Sequence, residues 1–285
     1  MSKQEKWQLT QKQSLPLKAK IEMTKKRIRQ FYDYFDGKVY LSYSGGKDSE
    51  TLRQIIKSMN GYNDIPTVFC QTGLQLRSVR EKVKNLITNT SDYREETKYG
   101  YTQRYYDKDN IVILKPKMGF KEVIQKYGYP VISKEQSNYI HDYRNTNSEY
   151  MKDIRLNGNK NGNFKISEKW KFLLEAPFKI SHMCCKIMKI RPFKRYEKET
   201  GRKPIIGTMA DESILRQQKY LQQGCNAFDV KRPKSAPISF WVEQDVLKYV
   251  YDNKITLPDA YGKVILEEGM YKTTNRDRTG WETAV

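Results

Sequence analysis

Cysteine and histidine are scarce in this chain. Its 285 residues hold four cysteines, Cys70, Cys184, Cys185 and Cys225, two of which are neighbours. Adjacent cysteines cannot form an ordinary pair of structural bridges, so a disulfide framework is not the stabilising device. The two histidines, His141 and His182, supply neither a Ser-His-Asp triad nor an HExxH metal site. His182, beside the cysteines, is a structural residue or else a ligand or proton carrier. No run of about 18 apolar residues occurs, which leaves no material for a spanning helix. The first twenty residues are polar and lysine-rich, without the apolar segment of a secretory leader. These absences set the expectation of a soluble, cytoplasmic protein with no membrane partner.

Acidic residues are in deficit as well. Asp and Glu total 33 against 53 Lys and Arg, a net charge of +20. A compositional bias towards Lys, Asn, Tyr and Ile would enrich Glu too, so it does not account for the imbalance of sign. A positive field of this size favours polyanionic partners, nucleic acid among them, although charge alone reads no sequence. A chain of this length buries roughly 75% of its unfolded surface and folds without staples.

Leu17, Ile21, Ile28, Phe31 and Phe35 recur at helical spacing and predict an amphipathic helix over residues 16–35. Val39 to Tyr43 reads as a short strand, and Leu52, Ile55, Ile56 and Met59 mark a helix over 51–59 that Asn60-Gly61 stops. Further strands are expected at 65–70, 111–114 and 204–208, with helices at 78–88, 120–127 and about 211–223. Alternating strands and helices predict an α/β protein: a Rossmann-like, mostly parallel sheet with helices on both faces and helical insertions. Three segments follow. A helical N-terminal segment covers 1–36, and a nucleotide-binding domain covers 37–245, with insertions at about 93–110 and 137–180. A helical extension covers 246–285.

Between the first strand and its helix stands Tyr43-Ser44-Gly45-Gly46-Lys47-Asp48-Ser49. Paired glycines permit positive φ and close backbone approach to a ligand. Amides converging at a helix N-terminus, with the helix dipole, hold phosphate or pyrophosphate. Ser44 and Ser49 add hydroxyls and Lys47 a movable positive charge. Asp48 either caps the helix or binds Mg²⁺ bridged to the phosphates. Asp48 stands where a Walker A loop needs Ser or Thr, so this is a different phosphate turn.

The hexapeptide resembles the PP-loop of the adenine-nucleotide α-hydrolase superfamily. Its members cleave ATP to AMP and pyrophosphate or bind sulfonucleotides. Six further segments are similar, in order, to the phosphoadenylyl-sulfate reductase family. They are Val68-Phe-Cys-Gln-Thr-Gly-Leu74, Gly128-Tyr-Pro-Val-Ile-Ser-Lys134, Ser181-His-Met-Cys-Cys-Lys186, Gly207-Thr-Met-Ala-Asp-Glu-Ser213 with Arg216, Gly224-Cys-Asn-Ala-Phe228 and Ser239-Phe-Trp-Val-Glu-Gln-Asp245. The likeness spans roughly residues 35–285 and is specific to a less characterised branch found in phages and mobile elements. It implies a sheet of five or six strands, with residues 43–49 on the nucleotide's phosphates. It places Thr72 and Gly73 beside the adenosine, and Lys134 and Arg216 as cationic contacts to a phosphate or sulfate. Lys47, Asp48 and Arg216 are the candidate catalytic residues.

The chain departs from that family in three places. Reductases of the family use a C-terminal nucleophilic cysteine within Glu-Cys-Gly, and no cysteine follows Cys225 here. Related members join a Cys-Cys pair to a later Cys-x-x-Cys to hold a [4Fe–4S] cluster. Cys184 and Cys185 supply the first half, a partial site, but Trp281 and Ala284 occupy the places of the second. Gln75 stands where an acidic residue is expected. The resemblance implies ATP-dependent adenylation, with a nucleic-acid acceptor and a cysteine desulfurase or thiol donor as partners. Its alternatives are a sulfonucleotide reductase with an external nucleophile and a non-catalytic nucleotide-binding module of a phage or defence system.

Overall fold

The structure is a computed structural model and describes residues 5–275, so the expected cysteine positions at Trp281 and Ala284 lie outside the described residues. The chain divides into two compact units. The first comprises Met1–Gln71, Gln75–Leu114 and Lys194–Val285, and the second Thr72–Leu74 and Lys115–Phe193.

The first unit opens with α1 (Lys6–Gln13) and α2 (Leu17–Tyr34). In α2 the buried positions Lys20, Thr24, Ile28 and Phe31 follow one another at helical spacing, so a single stripe faces the core. The ammonium of Lys20 reaches Asp245 Oδ2 at 2.5 Å and the carbonyl of Gln13 at 2.6 Å, which lets a lysine lie buried in that stripe. Next come β1 (Val39–Tyr43), α3 (Lys47–Lys57), β2 (Thr67–Cys70), α4 (Arg77–Asn85), β3 (Arg94–Lys98), β4 (Tyr101–Tyr106) and β5 (Ile111–Lys115).

The second unit holds α5 (Phe120–Tyr127), α6 (Lys134–Asn145), α7 (Glu149–Asn157) and the short α8 (Met183–Cys185), which runs into a π-helical turn at Lys186–Ile190. Val123, Ile187 and Met188 form one small core here, and Tyr139, Ile140, Ile166, Leu173 and Ile180 another. Two family-like segments meet in this unit. The Tyr129 amide donates to the Lys179 carbonyl at 2.8 Å, and the Ser181 amide returns a bond to the Tyr129 carbonyl at 3.0 Å.

Helix α9 (Arg191–Thr200) leads back to the first unit. It is followed by β6 (Lys203–Ile206), α10 (Ile214–Gln223), β7 (Asn226–Ala227), β8 (Lys234–Ser235) and α11 (Glu243–Asp252). The hairpin β9 (Val264–Glu267) and β10 (Met270–Thr273) comes last. The segment expected as a helical extension is therefore a helix end followed by a hairpin over its described part.

Eight strands form one sheet in the order β3-β4-β5-β2-β1-β6-β8-β7, an α/β Rossmann-like arrangement. Strand β1 pairs in parallel with β2 and β6, β2 with β5, and β6 with β8; β3/β4 and β7/β8 are antiparallel. The resemblance implied five or six strands. The additional ones lie at the two edges, where β3 is fully exposed and β7 and β8 have two residues each. Both faces of β1 are covered. Val39, Leu41 and Tyr43 join the main core with Ile28, Phe31, Leu52 and Ile55. Tyr40 points the other way and meets the Tyr196 ring of α9 edge-on at 5.2 Å.

Candidate functional site

Strand order reverses between β1 and β6, since β2 and β5 lie to one side of β1 and β6 and β8 to the other. In open parallel sheets such a point leaves a crevice at the carboxyl ends of the strands, where ligands gather. The turn at residues 44–49 sits there, between β1 and α3. Gly45 adopts φ +84, and a Cβ on it would lie 2.6 Å from Val79 Cγ1, so both conformation and space call for glycine. Gly207, just after β6, approaches from the neighbouring strand. A Cβ there would lie 3.0 Å from the Asp48 carbonyl carbon and oxygen.

The serines brace the turn. Ser44 and Ser49 hydroxyls are 3.1 Å apart, the Ser44 amide donates to Ser49 Oγ at 3.3 Å, and Ser49 Oγ donates to the Gly46 carbonyl at 3.0 Å. The Gly46 amide makes a long 3.4 Å bond to Ser44 Oγ. No side chain caps α3, and the amides of Gly45, Lys47, Asp48 and Ser49 donate to no described residue. Four backbone donors at the start of an 11-residue helix are thus available to an anion.

Lys47 and Asp48 are both buried, with the ammonium 2.9 Å from Asp48 Oδ1 and 3.5 Å from Glu243 Oε1. Glu243 opens α11 and is a member of the site that the sequence reading did not single out. Arg216, in the first turn of α10, forms an ion pair with Glu212. Burial pushes its guanidinium below its usual range, while Asp48 opposes that shift and so lies within electrostatic reach. The structure therefore gathers Tyr43, Ser44, Gly45, Gly46, Lys47, Asp48, Ser49 and Arg216 in one unit.

Beneath the turn, Glu50 has no exposed surface. Its carboxylate accepts from Tyr43 OH at 2.5 Å and Gln54 Nε2 at 2.7 Å, with Arg53 and Lys82 at 3.7 and 3.9 Å. This network locks the end of β1 to the first turns of α3. Burial, then Glu50, pushes the Tyr43 phenol well above its ordinary range, so it stays a donor. No motif signals Glu50; only the burial of its helix face reveals it.

Thr72, Gly73 and Lys134 belong to the second unit. Thr72 Oγ1 accepts from the Leu74 amide at 3.3 Å, and a Cβ on Gly73 would meet nothing within 4 Å. Lys134 is exposed at the start of α6, which Ser133 caps through the Gln136 amide. Gln75 donates to the Cys70 carbonyl at 2.6 Å, a backbone tie that a carboxylate could not make.

Cys184 and Cys185 are free thiols, and burial raises the pKa of Cys184. Among the described residues no group of three or more His, Cys, Asp or Glu side chains is placed to hold a metal ion. Two adjacent thiols do not fit a cluster that needs four thiolates. Magnesium asks less, since one or two carboxylates complete a shell shared with phosphates. Asp48 and Glu243 are the carboxylates beside the turn, both paired with the Lys47 ammonium, at 2.9 and 3.5 Å. No described helix is long and apolar enough to cross a membrane.

The family model of the phosphoadenosine phosphosulfate reductase domain matches residues 135–275. That span contains Cys184, Cys185, Arg216 and Glu243, and the turn at 44–49 precedes it. Among solved structures, the crystal structure of phosphoadenylyl-sulfate (PAPS) reductase from Candida auris in a phosphate complex is similar at 13% identity. The match covers 88% of this chain and 95% of that one, with a TM-score of 0.46. No curated protein matches the chain.

Proposed function

We propose, from the match of residues 135–275 to the phosphoadenosine phosphosulfate reductase domain, that residues 43–49 bind the phosphates of an adenine nucleotide and that the protein turns ATP over to AMP and pyrophosphate. The carrying observation is the uncapped N-terminus of α3 at the reversal of strand order, with four amides free of described partners. An acceptor oxygen would attack the α-phosphorus as the bond to the β-phosphate breaks, and pyrophosphate would leave. AMP then rides on the acceptor until sulfur or nitrogen displaces it.

Lys47 and Arg216 would offset the charge that grows on the phosphoryl oxygens. Asp48 and Glu243 would hold Mg²⁺, which neutralises the leaving pyrophosphate when bound. Thr72 and Gly73 are assigned to the adenosine and Lys134 to a phosphate or sulfate. The net charge of +20 supports a nucleic-acid acceptor, with a cysteine desulfurase or other thiol donor supplying sulfur. The phage and mobile-element branch and a cytoplasmic setting belong to this same reading.

A second reading is reduction of a sulfated adenine nucleotide, which the family name of residues 135–275 favours. On this reading the nucleophilic thiol is supplied by a separate donor. Burial raises the pKa of the Cys225 thiol, which makes it a poor nucleophile. A binding module without turnover is the third. Incubation with ATP and Mg²⁺ separates them. Pyrophosphate release that Lys47→Ala abolishes supports adenylation. Sulfite from phosphoadenylyl sulfate with thioredoxin, and no pyrophosphate from ATP, would replace it with the second. Nucleotide binding with neither product leaves the third.

A further inference from the structure

In the second unit, residues 158–180 contain no α-helix and are held by three buried anchors, Ile166, Leu173 and Ile180, which share a small core with Tyr139 and Ile140 of α6. Between the anchors, rings turn outward. Phe164, Phe172 and Phe178 are 53%, 66% and 39% exposed, and they are the only exposed phenylalanines among the described residues. Trp170 lies beside Phe172 with ring centroids 6.2 Å apart, and the exposed Tyr129 meets Phe178 edge-on at 5.6 Å. Single exposed rings need no explanation, but paired rings rimmed by charge mark a place of contact with another molecule.

The segment is built to hold these rings still. Phe164 has φ +69, a left-handed conformation that a bulky side chain rarely adopts. Its carbonyl accepts from Arg155 Nη1 at 3.0 Å. The preceding Asn163 is tied twice to Asn159: its carbonyl accepts from the Asn159 amide at 2.9 Å, and its amide donates to Asn159 Oδ1 at 2.9 Å. The Ile166 amide donates to the Arg155 carbonyl at 2.7 Å, and Arg144 donates to the carbonyls of Phe178 and Ala176 at 2.9 and 3.1 Å. Backbone strain beneath an exposed ring, fixed from behind, points to binding, because order established before contact lowers the cost of association.

Charge identifies the occupant. Residues 115–193 hold 16 Lys and Arg against seven Asp and Glu. Within the segment, Lys171 is matched by Glu168 at 2.8 Å, whereas the exposed Lys160, Lys165 and Lys179 make no ion pair among the described residues. Lys169 lies over the Trp170 ring at 5.2 Å. Rings with cations between them suit bases strung on phosphates, since every base has an apolar face to stack and every phosphate a charge to match. An apolar peptide would desolvate the lysines without pairing them, and a duplex keeps its base faces stacked inside. We propose that residues 158–180, with Tyr129, form a platform for single-stranded nucleic acid. Bases stack on Phe164, Phe172 and Phe178, and phosphates meet Lys160, Lys165 and Lys179. This deepens the reading of a nucleic-acid acceptor, on which it rests, by naming the strand form and the residues that hold it.

Fluorescence anisotropy of the full chain with a labelled single-stranded DNA of about 12 nucleotides, without ATP, tests the platform. The wild type is expected to bind the strand more tightly than the corresponding duplex. Phe172→Ala with Phe178→Ala should bind it about 25-fold or more weakly, roughly fivefold for each lost stacking ring. Phe172→Tyr with Phe178→Tyr keeps both ring faces and should retain wild-type affinity. An abasic strand of equal length should bind the wild type weakly and lose nothing further in the alanine pair. Lys165→Ala with Lys179→Ala should lower the slope of log affinity against log salt by about 0.7 for each lysine. All four positions are exposed, and matched thermal melts show that the fold is intact. Equal affinity of the wild type and the alanine pair would overturn the proposal, as would a duplex held as tightly as the strand. So would self-association of the wild type that the alanine pair abolishes without change in strand binding, which would assign the rings to a second copy of the chain. Because no ATP is present, failed pyrophosphate release leaves this result standing, and failed strand binding leaves the ATP assay standing.

Discussion

The Glu50 carboxyl lies where no water reaches it, and its four neighbours make that tolerable. Removing one partner of a buried charged group leaves the others uncompensated, at about 3–5 kcal/mol. Glu50→Ala is expected to lower unfolding stability by that order, read in urea. Tyr43→Phe deletes one bond to a charged acceptor and should cost about 1.5–3 kcal/mol. If both variants melt with the wild type, the network does not fasten α3 to β1. Gly207→Ala presses a methyl against the Asp48 carbonyl and should weaken ATP binding more than it lowers the melting temperature. At this scale the sequence was partly readable. Glycine pairs and flanking serines announce a turn because their conformational freedom is rare. Glu50 and Glu243 look like surface charges until the fold gives them neighbours.

Elements were legible where one face is buried. The helix expected over 16–35 is Leu17–Tyr34, that at 120–127 is Phe120–Tyr127, and the strand at 111–114 is Ile111–Lys115. The hairpin of β3 and β4 was read as an insertion because Arg94–Lys98 is wholly exposed and shows no apolar alternation. Strands of two residues, β7 and β8, are too short for any period. The helix start at Met183 carries a pH consequence. His182 has a buried Nδ1 without a hydrogen-bond partner, and burial, then His141, lowers its pKa from 6.5. The unfolded chain therefore binds that proton more readily than the folded one. Stability should be undiminished above pH 6.5 and decline as pH falls below it towards the folded value. Replacement of His182 by Gln should flatten that decline in thermal melts between pH 7.5 and 5; an unchanged slope would assign it to other groups.

Across the whole molecule the excess of 20 positive charges acts without regard to local geometry. A nucleic-acid acceptor, as proposed, should dissociate as salt rises. With six phosphate contacts the affinity for a single-stranded oligonucleotide is expected to fall roughly 300-fold between 50 and 200 mM salt. A flat salt response would remove nucleic acid from the list of acceptors. The division into two units was not readable from composition, because the second unit begins at Thr72–Leu74, resumes at Lys115 and interrupts no obvious linker.

The exposed strand that the sequence concealed bears on association. Strand β3 ends the sheet and offers backbone donors and acceptors to any extended chain that drifts alongside. Arg94, Glu95, Glu96 and Lys98 stud that rim, and a newcomer would have to strip water from all four before gaining a ladder bond. Charge thus guards an open seam, and a highly expressed copy of this protein can crowd its siblings without stitching to them.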